Sequence, residues 1–409
     1  MMNLKKIPYR ASHVVMKGGL AVIKMPTPST LVGSGMVKRF PEVIKTCHVD
    51  KVLVITDKPL MEMGLLNDFL EAMEKNGIQY TVFDGVQPNP TFENIDAGLA
   101  LYHQEACKGV VAFGGGSSMD CAKIVAARVT NRKSIEKMKG LFKLTHKLPP
   151  FFAVPTTAGT GSEATIAAVI TNAENHEKFA INDPKLVPLA TVLDPDLTLG
   201  LPPALTAHTG MDALTHAVEA YIGWYDTPFV REKALSATKT IISDLEAVYK
   251  NGKDVTLRRN MLVASYEAGI AFTRAYVGYV HAIAHNLGGF YGVPHGFANA
   301  VILPHILEFS KVEAQKSLAE LARYAGIGDP AESDDILTMR FIEKVKEMNA
   351  NMNIPQTIDA LQVKDIPELA KRILIEGNPT YPVPRIMDYN DCVSILEDLV
   401  TPIEYNALG

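Results

Sequence analysis

Five side chains in two short stretches have the types and spacing to hold a metal ion. Asp212 and His216 stand four residues apart in TGMDALTHAVEAY; His281 and His285 repeat the spacing in GYVHAIAHNLGG, and His295 follows in VPHG. Residues i and i+4 share one face of a helix, so each pair can reach a common point. One carboxylate with several imidazoles suits Fe(II) or Zn(II), and neither stretch offers a thiolate for a softer ion. Any one of these histidines is most simply a hydrogen-bonded structural residue. As a set they point to a metal site, because the second group falls in a run from Ala275 to Leu307 with no formal charge. Spacing does not choose among His281, His285 and His295. His208, one turn before Asp212, is a weaker candidate, and His305 reads as structural.

A second chemistry is written in glycine. Gly114-Gly115-Gly116-Ser117-Ser118 follows the apolar run ending at Phe113, and a helical pattern begins near Ser118. Glycines let backbone N–H groups approach a ligand, and a helix N-terminus favours an anion, so the turn reads as a phosphate cradle. Pro155-Thr156-Thr157-Ala158-Gly159-Thr160-Gly161 follows the next apolar run and could touch another part of the same ligand. Asp57 stands right after the run KVLVIT. There it can accept from a ribose diol and repel a 2′-phosphate, or it can simply cap a helix. The usual dinucleotide fingerprint puts such an acid about 20 residues after the glycines, whereas Asp57 precedes them.

The elements that must position these groups are legible as two patterns. Apolar β-branched runs at Lys51–Thr56, Gln79–Phe83, Gly109–Phe113, Phe151–Val154 and Leu186–Leu193 alternate with helical patterns at Met61–Lys75, Asn94–Glu105 and Ser118–Val129. That alternation predicts βαβ units and a parallel sheet. Beyond Leu199–Pro203 the period turns helical, over Ala204–Tyr221, Arg231–Tyr249, Leu257–Thr273 and Val312–Tyr324. The expected organisation is an α/β nucleotide-binding domain over residues 1–200 and an all-helical metal-binding domain over 201–409.

Composition bounds the partners. With 409 residues, 47% hydrophobic and 21% charged, the chain is an ordinary globular one. A net charge of −5 lacks the basic footprint of a nucleic-acid binder. The uncharged run is long enough to span a bilayer, but its histidines, asparagines and prolines would be costly in hydrocarbon. A buried helix lining a polar cleft explains it better. Four scattered cysteines and an N-terminus without the apolar core of a signal peptide predict a cytoplasmic protein with neither disulfides nor a membrane segment.

The stretches GGGSSMDCAK, PTTAGTGSEAT, VLDPDLTLGLPPALTAHTGMDALTHAVEAY and GYVHAIAHNLGGFYGVPHGFANA occur in order from Gly114 to Ala300. In them the chain resembles the iron-containing (group III) alcohol dehydrogenases, and the colinear pattern runs from the strand before Gly33 to the C-terminal helices. The resemblance implies a Rossmann-like domain followed by an all-helical one, in the dehydroquinate synthase-like fold. It implies Asp212, His216, His281 and His295 as ligands of Fe2+ (or Zn2+), with His285 beside the nicotinamide as a catalytic residue. Gly115, Gly116 and Ser117 become the phosphate cradle, Asp57 the group favouring NAD over NADP, and Asn89 a neighbour of the adenine half. Thr156, Thr157, Thr160 and Lys178 match further cofactor contacts.

The implied activity is reversible, NAD-dependent oxidation of short primary alcohols or diols, with the metal as Lewis acid. Relatives imply a homodimer or larger assembly. A glycerol- or propanediol-type dehydrogenase, or a dehydroquinate synthase-like lyase, is the alternative on the same fold. The lyase needs cationic side chains near the metal, which the uncharged run does not supply. Phe272 and Tyr276 could wall the substrate pocket or belong to the core. One departure from the family pattern is local: Asn378-Pro379 is followed by Thr380 where relatives carry arginine, and Arg385 comes later.

Overall fold

The short β-branched runs form strands, fully buried at the centre of the sheet and partly exposed at its edges. The computed structural model describes residues 7–172 and 177–402. Its strands are β1 (Ser29–Val32), β2 (Lys51–Ile55), β3 (Gln79–Phe83), β4 (Gly109–Gly114), β5 (Gly140–Leu141), β6 (Phe151–Pro155), β7 (Ala167–Asn172), β8 (Glu177–Asn182) and β9 (Ala190–Leu193). Six of them form one parallel sheet in the order β1-β9-β6-β4-β2-β3, and β5-β8-β7 form a small second sheet. Among the helices of this half are α1 (Ile7–Val22), α2 (Phe40–Thr46), α3 (Lys58–Glu62), α4 (Asn67–Lys75), α5 (Phe92–Gln104) and α6 (Gly116–Thr130). One apolar layer, with Leu53, Val110 and Ile124, fills one face of the large sheet; another, with Phe69, Phe113 and Phe152, fills the other. Burial on both faces is why β4 and β6 read as unbroken apolar runs.

The strand order places the glycine turn. β2 is followed outward by β3, while β4, β6 and β9 extend the sheet the other way. The direction therefore reverses between β2 and β4, and their C-terminal ends leave a crevice. Asp57 follows β2 and Gly115 follows β4, so residues far apart in sequence flank that crevice.

The second half is helical: α7 (Pro203–Ile222), α8 (Pro228–Lys250), α9 (Val255–Ala275), α10 (Tyr279–Tyr291), α11 (His295–Ser310), α12 (Gln315–Ala325), α13 (Asp334–Asn351), α14 (Ile366–Gly377) and α15 (Tyr389–Asp398). Their starts are chemically marked. The side chains of Thr227, Asp254, Ser333 and Asp388 cap α8, α9, α13 and α15 by accepting from backbone N–H groups. Pro304 lies inside α11 and has no N–H for the Ala300 carbonyl; the Asn349 amide of α13 donates there at 2.7 Å instead. The first helix, α1, packs on this half: Tyr9, Met16 and Leu20 join its core, and the Arg10 guanidinium donates to the carbonyls of Val383 and Pro384.

Several sequence expectations need correction. The uncharged run is two helices, because Gly292 turns left-handed (φ 72°) and Pro294 precedes α11. The pattern over Met61–Lys75 is likewise broken at Gly64 (φ 69°) into α3 and α4. Strand structure in Leu186–Leu193 is confined to Ala190–Leu193, since Pro188 cannot donate to a ladder. The antiparallel pair β7–β8 was not expected at all. No helix among the described residues is long and apolar enough to cross a membrane, and the four cysteines are free thiols.

Candidate metal centre and nucleotide crevice

Three helices converge on the candidate metal ligands. Asp212 and His216 lie on α7, His281 on α10, and all three are buried. Their ligand atoms lie within 4.8 Å of one another. His295 opens α11 and brings its Nε2 to 3.6 Å from Asp212 Oδ1, with its ring 5.3 Å from that of His281. Glycine allows this approach, since a Cβ on Gly296 would lie 2.6 Å from the His208 carbonyl oxygen of α7. His208 itself packs its ring against Phe297 and is not part of the cluster.

Neighbouring side chains fix the ligands' orientation and charge. Glu219, one turn beyond His216, accepts from the backbone N–H groups of Gly278 and Val280, each at 2.8 Å. It also meets His281 Nδ1 at 2.6 Å. That contact occupies Nδ1 and leaves Nε2 as the nitrogen free to ligate, the usual way a carboxylate sets a metal-binding imidazole. Burial pushes the Glu219 carboxyl up to about 7, against those backbone donors. Burial lowers His216 and His295, opposed by Asp212; it lowers His281 well below the ordinary range, and the neighbouring imidazoles add to the effect. Neutral imidazoles are the form that binds metal.

The Asn299 amide stands 2.6 Å from Asp212 Oδ1, 3.1 Å from His295 Nε2 and 3.3 Å from His281 Nε2. His216 Nδ1 is buried with no hydrogen-bond partner among the described residues, and the His216 ring stacks on Phe272 at 4.2 Å. A buried carboxylate, unpartnered imidazole nitrogen and converging lone pairs fit a divalent transition-metal ion. His305, by contrast, meets the Gln356 carbonyl at 3.4 Å, away from the cluster.

His285 faces the same space from α10. Its ring stacks on His295 at 5.2 Å, while its Nδ1 is held 2.7 Å from Glu376 Oε1.

The candidate nucleotide crevice is built from two loops on adjacent strands. Thr156 N donates to the Gly114 carbonyl, and a Cβ on Gly116 would lie 2.8 Å from Thr160 Cγ2. A Cβ on Gly115 would come 3.3 Å from Thr157. Only bare backbone therefore fits between the loops, and the first N–H groups of α6 open there. Asp57 caps α3, its Oδ1 accepting from Leu60 N at 3.1 Å, and its Oδ2 lies 3.5 Å from Ser118 Oγ, beside the glycine turn.

Behind the loops, the buried Lys123 ammonium donates to Ser162 Oγ, Thr165 Oγ1 and two carbonyls, tying α6 to the second loop. That loop also touches the helical half. A Cβ on Gly159 would lie 2.7 Å from Thr209 of α7, and one on Gly161 would lie 2.7 Å from the Ser265 carbonyl of α9. Asn89 and Lys178 pair at 2.7 Å, and a Cβ on Gly288 of α10 would lie 3.3 Å from Lys178 Nζ. The second glycine loop and Lys178 thus lie against the helices α7, α9 and α10, the first and last of which carry candidate metal ligands.

Glu219, Asn299, Glu376 and Tyr381 lie at or beside the candidate cluster and are not among the sequence candidates. Glu219 stands three after His216, on the same helix face, and Asn299 stands four after His295, so spacing could have found both. Glu376 and Tyr381 carry no comparable signal. Arg385 lies elsewhere, over the Phe309 ring and paired with Asp391.

Comparison with known proteins gives the family and the fold. The iron-containing alcohol dehydrogenase family matches residues 26–195, and the C-terminal domain of the Fe-containing alcohol dehydrogenase family matches residues 206–400. Alcohol dehydrogenase 4 of Saccharomyces cerevisiae is 40% identical over 341 residues, 82% of this chain and 87% of the relative. The 1,3-propanediol dehydrogenase of Klebsiella pneumoniae is 40% identical over 332 residues, 80% of this chain and 86% of the relative. A crystal structure of a 1,3-propanediol oxidoreductase superposes with a TM-score of 0.89 at 35% identity, covering 92% of this chain and 100% of that one. With both family models matched and relatives 40% identical over most of its length, the chain is an oxidoreductase and belongs to the iron-containing alcohol dehydrogenase family.

Proposed function

We propose that the protein is an NAD-dependent alcohol dehydrogenase, reversible as an aldehyde reductase, that acts on short primary alcohols or diols with Fe2+ held by Asp212, His216, His281 and His295. The observation that carries the reading is the convergence of Asp212, His216 and His281 ligand atoms within 4.8 Å, with His295 3.6 Å from Asp212. When bound, the cation supplies Lewis acidity to the alcohol or carbonyl oxygen, and NAD supplies the hydride acceptor.

The protein's own residues do the rest. Gly115, Gly116 and Ser117 offer backbone N–H groups to the pyrophosphate at the start of α6. Thr156, Thr157 and Thr160 line the opposite wall. Asp57 favours a ribose diol over a 2′-phosphate by charge repulsion. Asn89 and Lys178 bound the far side of the crevice. Glu219 holds His281 with Nε2 available, and Phe272 shields His216 from water. His285, stacked on His295, stands where a proton must leave or enter the substrate oxygen. An apolar wall separates homologous alcohols by only about 1–3 kcal/mol per methylene, so several short alcohols are expected to serve. A second copy of the chain, giving a homodimer or larger assembly, is the expected solution state.

The test is an anaerobic assay of Fe(II)-loaded and metal-free protein with NAD or NADP and a panel of alcohols and diols. Activity that needs the metal and prefers NAD is expected. Full activity in the metal-free protein would end this reading.

A further inference from the structure

Glu376 is a carboxylate brought to the cleft by tertiary packing alone, from the last turn of α14. Three donors converge on it, two from neighbouring residues of α10 and one from the segment after α14. His285 Nδ1 lies 2.7 Å from Oε1, the Tyr381 hydroxyl donates to Oε1 at 2.8 Å, and Asn286 Nδ2 donates to Oε2 at 2.9 Å. The chain around Glu376 is itself anchored. The Tyr279 hydroxyl of α10 donates to Asn378 Oδ1 at 2.7 Å and accepts from Met387 N at 3.0 Å. α10 and the end of α14 are thus joined at the carboxylate and again two residues beyond it. A carboxylate only accepts, so the Nδ1 that faces it carries the ring proton, and Nε2 is left as the lone-pair nitrogen. An imidazole without such a partner would sample both tautomers and turn about its χ2 axis.

We propose that Glu376, braced by Tyr381 and Asn286, is the positioning residue for His285: it fixes the ring and its tautomer so that Nε2 serves the substrate oxygen. This rests on the dehydrogenase reading above for the use made of Nε2, but not for the tautomer. Orientation by a hydrogen-bonded partner of this kind is worth about 10–100-fold in comparable sites.

The experiment uses the full chain with 15N-labelled histidine and the variants E376A, E376Q, H285A and H285A/E376A, with the His285 signals assigned by their loss in H285A. Wild type is expected to show His285 protonated on Nδ1, and E376A to move toward the other tautomer. In the Fe(II)-loaded enzyme, E376A should lose about 10–100-fold in kcat with metal content and KM for NAD little changed. E376Q, which keeps an acceptor oxygen, should recover most of the loss. In the H285A background E376A should add nothing, because the two residues act as one unit. Unchanged His285 signals in E376A overturn the proposal, as does a changed tautomer with wild-type kcat or a loss that persists undiminished in the H285A background. A wild type that turns over no alcohol yet shows the tautomer change removes the dehydrogenase reading and leaves the tautomer assignment standing.

Discussion

Two carboxyl groups illustrate how burial acts on a single residue. Glu219 accepts from two backbone donors and faces the His281 ring, an arrangement that would aim His281 as the metal ligand proposed above. Glu219→Ala is expected to weaken metal affinity by about 10–100-fold, measured by titrating the metal-free protein with Fe(II) or Zn(II). Asp212→Ala removes a ligand outright, and the purified variant should carry no stoichiometric metal by elemental analysis. Glu163 is different: it is buried behind the second glycine loop, and its Oε1 has no hydrogen-bond partner among the described residues. Burial pushes its carboxyl up to about 7, with Lys123 pulling the other way.

A folded value above the unfolded one means a contribution to stability that is complete below the ordinary carboxylate range. It is lost as pH rises through about 7. Glu163→Gln removes that dependence. Its melting temperature relative to wild type should therefore rise between pH 5 and pH 8, and a difference that stays flat would count against an ionising Glu163.

Loops and helix starts set the cleft at the next scale. The glycine turn after β4 works because nothing but backbone fits beside Thr160, where a Cβ on Gly116 would lie at 2.8 Å. Gly116→Ala should raise the Kd for NAD in calorimetry while metal content stays at the wild-type level. Gly161 has a different burden. It is left-handed (φ 57°) and lies against the α9 backbone, where a Cβ would come 2.7 Å from the Ser265 carbonyl and 2.8 Å from Gly269 Cα. Gly161→Ala should cost about 1–3 kcal/mol in urea unfolding, since neither backbone segment can give way cheaply. Loss in the first variant of binding but not stability, and in the second of stability, would separate the loops' two roles.

At the scale of the molecule, the ligand cluster joins α7, α10 and α11, and the second glycine loop joins the sheet to α7 and α9. A cation that binds only the folded protein stabilises it by mass action, by about 2.7 kcal/mol at a hundredfold excess over Kd. Metal addition should therefore raise the melting temperature of wild type, and the rise should vanish in Asp212→Ala. An equal rise in that variant would place the stabilising ion elsewhere.

Local sequence was enough for the α/β-then-helical order, the strands KVLVIT and GVVAF, the helix carrying Asp212 and His216, and the glycine turn. Each is set by periodicity of 2 or 3.6, or by backbone freedom, within one short segment. The family resemblance supplied the choice among His281, His285 and His295, which spacing left open. Only the tertiary structure showed that Asp57 can be a helix cap and a neighbour of Ser118 at once, because only strand order puts β2 next to β4. It alone split the uncharged run at Gly292, and it alone brought Glu376 to His285 across most of the helical half. Contacts between distant segments are fixed by how whole elements pack, and no window of sequence contains that information.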